Sequence, residues 1–168
     1  MSHILNKVRV LLIGAWLGAA IFFSAAVAPS AFAVLRSFNV PNATEIAGGI
    51  VNRTLSVVNT SGFFISLLSI VAAVVVRKRY GVRAFVVQLM LLAVMALATG
   101  IGQWVIAARM RALRQAVGIP IEQVSLADAN RVAFAALHSY SVVALSIAII
   151  AGLIAFFIVS NRVEAGRD

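Results

Sequence analysis

The sequence contains no cysteine, only three prolines and only five acidic residues among 168. The first absence excludes disulfide scaffolds, thiolate metal sites, iron–sulfur clusters and thiol catalysis. The two histidines, His3 and His138, cannot assemble a conventional multi-histidine haem or zinc site. Gly-rich phosphate loops are absent as well, which excludes an ATP-driven pump within this chain. Charge is scarce: Asp, Glu, Lys and Arg make up 11% of the residues, where a soluble domain carries about a quarter. So few charges cannot coat a water-facing surface, and they cluster in short connectors.

What is abundant is apolar sequence, at 62% of residues with a mean hydropathy of +1.05. Four charge-free intervals run Val10–Leu35, Thr54–Val76, Ala84–Ala108 and Val132–Asn161, of 26, 23, 25 and 30 residues. As a helix the shortest is about 34 Å long, enough to cross a hydrocarbon core of roughly 30 Å. A β-barrel would need alternating segments of about ten residues, and these are missing. The expected fold is all-α, an integral membrane four-helix bundle forming one domain over 1–168, with spans near 10–35, 54–76, 84–108 and 132–160. No separate soluble catalytic domain fits in the remaining length.

The net charge of +9 would suggest a nucleic-acid partner in a soluble protein. Here the basic residues sit at the ends of apolar runs, where they meet lipid headgroups, so nucleic acid is not an expected partner. Lys7, Arg9, Arg77, Lys78, Arg79, Arg83, Arg162 and Arg167 lie on the side of the termini; Arg36, Arg53, Arg109, Arg111, Arg114 and Arg131 lie on the other. The denser terminal side places both termini in the cytoplasm of an inner membrane. Lys7 and Arg9, the run Val10–Phe23 and Ala31-Phe32-Ala33 have the order of a cleavable signal. Because the apolar run continues past that site, the segment is read as a retained span.

Asn42 and Glu45 form a capping signal that predicts an interfacial helix between spans one and two, with Gly48-Gly49 loosening the path into span two. After span three, Arg109, Arg111 and Arg114 continue the helical spacing toward headgroups until Gly118 and Pro120 end it. Ser125 and Asp128 predict the cap of span four, with Asp128 and Arg131 paired three residues apart. Gly14 and Gly18 make a G-x-x-x-G face for close packing, within the monomer or against a second copy.

Polar side chains inside spans are costly and therefore informative. Asn59 lies six residues inside Arg53, Gln103 six inside Arg109, and His138 seven inside Arg131, all about 9 to 10 Å below one face. Pro29 sits seven inside Arg36, where it frees a carbonyl of the preceding turn. One pocket lined by Asn59, Gln103, Arg131, His138 and Ser141 beside the Pro29 break would join them and take a small solute or ion. The competing reading makes the same residues interhelical hydrogen bonds in a non-catalytic scaffold. A small membrane oxidoreductase is a third reading, and no cofactor is identified. His138 and Ser141 lack an orienting acid and a nucleophile elbow, so they do not make a hydrolase.

Trp16-x-Gly18, Phe22-Phe23, Pro29 and Phe32 in span one, with Phe134-x-x-Leu137-His138-x-x-Ser141 in span four, resemble the transmembrane-protein-205-like family. The similarity extends through Met110-Arg111-Ala-Leu-Arg114 and Asp128-x-x-Arg131, so it covers most of the chain. The sequence departs from the animal-type members at Ile50–Asn52, where an aromatic-proline segment is expected. The resemblance implies a compact four-span membrane protein without an assigned enzymatic activity. It singles out Pro29, Arg111, Arg114, Arg131, His138 and Ser141 as positions matching the family pattern. The alanine- and arginine-rich composition points to a bacterial inner membrane.

Overall fold

The computed structural model describes residues 2–77 and 81–164, which are helical apart from short connectors. Lys78, Arg79 and Arg167, part of the charge comparison across the membrane, lie outside the described residues. Four helical stretches are long and apolar enough to cross a membrane: Ile4–Ser37, Ala43–Val75, Val82–Val117 and Ala129–Asn161. Span one is built from α1 (Ser2–Phe22), a π-helical turn (Phe23–Val27) and α2 (Ala28–Ser37). Span two is the single helix α3 (Ala43–Val75). Span three joins α4 (Val82–Gly100) through a second π-helical turn (Ile101–Ile106) to α5 (Ala107–Val117), and span four is α6 (Ala129–Glu164).

Lipid offers no partner to backbone groups, so a spanning segment must satisfy its own N–H and C=O groups, and uninterrupted helix is the solution. Pro29 tests this rule, since it lacks an N–H and its ring crowds a carbonyl of the preceding turn. The chain does not break there. The π turn ends immediately before α2 and puts Pro29 in the first turn of a new α segment, where a missing N–H is tolerated.

The connectors differ from expectation in three respects. No separate interfacial helix precedes span two: Ala43 opens a helix that runs through Gly48 and Gly49 into the membrane without interruption. Asn42 takes the left-handed conformation at φ 56° and makes no side-chain cap; its Oδ1 accepts from Gln123 Nε2 at 3.2 Å instead, tying connector one to connector three. At span four the cap is Asp128 and not Ser125, because Asp128 Oδ1 accepts the Asn130 N–H at 2.7 Å. Arg131 is engaged elsewhere, donating from Nη1 to the carbonyls of Glu122, at 2.9 Å, and Val124. Gly118 closes α5 at φ 69°, as a helix end that passes into the left-handed region favours.

The core lies where α1, α3, α4 and α6 meet, around Ile13, Trp16, Leu17, Leu92, Met95 and the alanines 148, 151 and 155. Trp16 donates from Nε1 to the Val58 carbonyl at 2.9 Å, with the indole close against Gly62. A Cβ at Gly62 would stand 2.6 Å from Trp16 Nε1 and 2.9 Å from Thr99 Cγ2; one at Gly152 would meet Trp16 Cζ3 at 3.2 Å. Gly14 packs on Phe156 of α6 within the chain, whereas Gly18 has open space around it. The G-x-x-x-G pair is therefore divided between a packing role inside the monomer and an exposed position. Arg9 is buried among the helices, with Nη1 donating to Asn6 Oδ1 at 3.2 Å. Gln88 is also fully buried, and among the described residues neither polar atom of its amide has a hydrogen-bond partner.

Gly62→Ala forces the indole off α3 and overpacks the centre of the bundle. The expected loss is about 1–3 kcal/mol of stability, read as a lower thermal midpoint for the purified protein in detergent; an unchanged midpoint would show that Trp16 does not set this contact.

Candidate functional site

The half of the bundle next to connectors one and three is looser than the other. No residue of α2 is buried, and α2 packs chiefly on α3, whereas α1 packs on α6 as well. Beyond the π turn, then, span one leans toward span two and separates from span four. The space left holds a cavity of about 610 Å³. Its walls come from α2 and its π turn, the first half of α3, α5, the connector after α5, and the first half of α6. Along α6 the lining runs from Phe134 to Ile149, roughly 22 Å of helix.

The lining is graded. At the connector end stand Thr44, Glu45, Asn52, Arg111, Arg114 and Glu122; deeper walls are Phe23, Leu55, Val142, Leu145 and Ile149. His138 and Ser141 face the middle, near Pro29 and Phe32. His138 is exposed and makes no hydrogen bond among the described residues, while Ser141 is buried. Ser24 and Ser146, also in the wall, return their hydroxyl protons to the carbonyls of Ala20 and Val142 at 2.9 Å each.

Arg114 organises the polar end. Its Nη1 lies 3.4 Å from Glu45 Oε1, its guanidinium carbon lies 5.0 Å from the Phe134 ring centre, and a Cβ at Gly48 would stand 2.7 Å from Nη2. One side chain from α5 thus crosses α3 at Gly48 and stacks toward α6. The ion pair is longer than an N–H···O hydrogen bond, and among the described residues both Arg114 Nε and Glu45 Oε2 are buried without a partner. Buried polar groups left unmatched in this way weaken a closed network.

The structure divides the residues that depth along the helices placed in one layer. Pro29, His138 and Ser141 line the cavity. Asn59 and Gln103 do not. Asn59 is buried against Gly102 in the second π turn, where a Cβ would meet its Nδ2 at 3.1 Å. Gln103 donates from Nε2 to Ser56 Oγ at 2.7 Å across spans three and two. Arg131 is held in the loop by the Glu122 and Val124 carbonyls and is not a lining residue. Depth alone cannot tell which way a side chain turns around its helix, and this separates the two groups.

Arg111 and Arg114, expected at lipid headgroups, line the cavity, whereas Arg109 is exposed outside it. Glu45, expected as a cap residue, faces Arg114. Nothing local in the sequence pairs Glu45 with a residue 69 positions away. The one available signal was the helical continuation of α5 beyond span three, which keeps Arg111 and Arg114 three residues apart on one side.

Among known proteins, the family model described as a domain of unknown function (DUF4149) matches residues 11–118, well over half of the chain. The matched region contains Pro29, Glu45, Arg111 and Arg114, and α6 with His138 and Ser141 lies beyond it. No curated protein and no solved structure matches.

Gln103→Leu removes the donor to Ser56 Oγ and is expected to lower stability by about 0.5–1.5 kcal/mol. His138→Ala removes no hydrogen bond and is expected to stay within about 0.5 kcal/mol of the parent. Thermal unfolding of the two variants side by side checks the division, and an equal loss would place His138 among the helix-stitching residues.

Proposed function

We propose that this chain, which belongs to the family of the domain of unknown function DUF4149, is a membrane-embedded binding protein for a small amphipathic molecule. The observation that carries the reading is the graded cavity of about 610 Å³, polar at the connector end and apolar toward the bundle centre. Binding sites for small molecules are concave, mostly apolar and furnished with a few convergent polar groups. At roughly 30 Å³ per water-sized group the volume holds about 20 such groups, which fits one chain with a compact head and excludes full enclosure of a two-chain lipid. A bare ion is less well served, because the middle and depth of the lining are dominated by carbon. Pro29, His138 and Ser141 act as wall residues and Arg111 and Arg114 as the polar end. Asn59 and Gln103 belong to helix packing.

In this reading residues 1–168 act as one four-span unit with both termini in the cytoplasm of a bacterial inner membrane. The cavity then faces the non-cytoplasmic side, since connectors one and three lie there. The resemblance to the transmembrane-protein-205-like family is compatible with the assignment and adds no activity to it. Binding is the function assigned.

Val142→Trp places an indole into the cleft from an exposed wall position. Extraction and mass spectrometry of purified protein should find a co-purifying single-chain amphiphile in the parent and a strongly reduced amount in Val142→Trp. Equal recovery from both would overturn the cavity as the binding site. For orientation, a reporter fused after Asp168 should be active only if it is a cytoplasmic type; activity of a periplasmic type would reverse the arrangement.

A further inference from the structure

The unmatched donors at the polar end carry an inference about the head of the ligand, one that rests on the binding reading. Arg111 and Arg114 stand three residues apart on α5 and both line the cavity. Among the described residues neither guanidinium makes a hydrogen bond, and the one ion pair recorded there, Arg114 to Glu45, spans a loose 3.4 Å. Each guanidinium is a planar fork of five donors with no acceptor, always charged, and suited to paired oxygens of a carboxylate or phosphate. Two such forks at the polar end of a mostly carbon-walled cleft are satisfied by an acceptor-rich anion and not by a hydroxyl, which offers a single oxygen.

The two carboxylates at this end do not cancel this: Glu122 also lines it and makes no ion pair among the described residues. Glu45 reaches Arg114 through one oxygen only, while Oε2 is buried without a partner, and Arg111 has no acidic side chain within ion-pair distance among the described residues. Phe134 holds the Arg114 guanidinium from α6 and Gly48 lets it lie close to α3, so its position is fixed without using up its donors. The apolar walls extend from this point toward Leu145 and Ile149. We propose that Arg111 and Arg114 bind an oxyanion head, phosphate or carboxylate, of a ligand whose single apolar chain fills the rest of the cleft.

The test uses the full-length protein in phosphatidylcholine nanodiscs, titrated with hexadecyl phosphate, with hexadecanol and with inorganic phosphate, following the thermal midpoint and binding. Hexadecyl phosphate should bind at least about tenfold more tightly than hexadecanol. Arg111→Gln and Arg114→Gln should each remove most of that preference, with Arg114→Lys intermediate. Arg109→Gln, an equal charge change outside the cavity, should leave it intact. Among the described residues Arg111 makes no hydrogen bond, ion pair or ring contact, so its variant keeps the test valid if Arg114→Gln is unstable. Inorganic phosphate stabilising as well as hexadecyl phosphate, with the same arginine dependence, would support the oxyanion site and make a free anion its source. Equal binding of the phosphate and the alcohol, unchanged in the arginine variants but lost in Val142→Trp, would overturn the head assignment and leave the cavity standing. Binding of neither amphiphile would overturn both.

Discussion

The indole of Trp16 lies at the level where all four spans meet, and its one hydrogen bond, to the Val58 carbonyl, fixes how closely they can approach. Gly62 on α3 and Gly152 on α6 receive the two sides of the ring, with Thr99 and Met95 of α4 packed at the same two glycines. In lipid, helices gain little from burying apolar surface against one another, and close contact at small residues is what holds them. A large aromatic side chain seated on two glycines gives broad contact without pushing the backbones apart. Alanines 148, 151 and 155 flank Gly152 and extend the close approach along α6; nearer connectors one and three the helices diverge.

That divergence is a backbone matter before it is a side-chain matter. Both spans that run out toward connectors one and three change pitch on the way, span one at Phe23–Val27 and span three at Ile101–Ile106. The widened turn of span three presents Gly102 to Asn59, so the second π turn is stitched firmly to α3. The widened turn of span one is followed by a helix with no buried residue. One pitch change is absorbed by packing and the other produces open space, which is why the cavity lies between spans one and four.

Much of the architecture was legible in the sequence because the membrane constrains it so strongly. Charge-free intervals bounded by arginine can only be helices in lipid, and Gly118 can only end one cheaply. The connectors were harder to read. Asn42 and Glu45 have the spacing of a cap, but their partners, Gln123 and Arg114, come from the other connector and from α5. The site was half legible. Depth brought Pro29, His138, Asn59 and Gln103 to one level, and the azimuth that sends the last two into helix contacts follows from pitch changes that no residue pattern announces. Arg111 and Arg114 were visible as helical cations, and their role as cavity walls depends on α5 continuing over the cleft.

A π turn is an α-helix carrying one surplus residue, and this gives the segment Phe23–Val27 a meaning beyond its local hydrogen bonds. Each residue of an α-helix advances the chain by about 100° around its axis. Everything in α2 is therefore set out of phase with α1 by that one residue. Along a regular helix continuing from Ile13 and Trp16, Pro29 and Phe32 would point elsewhere. Evolution of such a chain is consequently discontinuous at this place: a point substitution adjusts the wall of the cleft, whereas loss of one residue between 23 and 27 would turn the whole outer third of the span to a new face. Residue number in this segment, more than residue identity, decides what span one shows to the cavity.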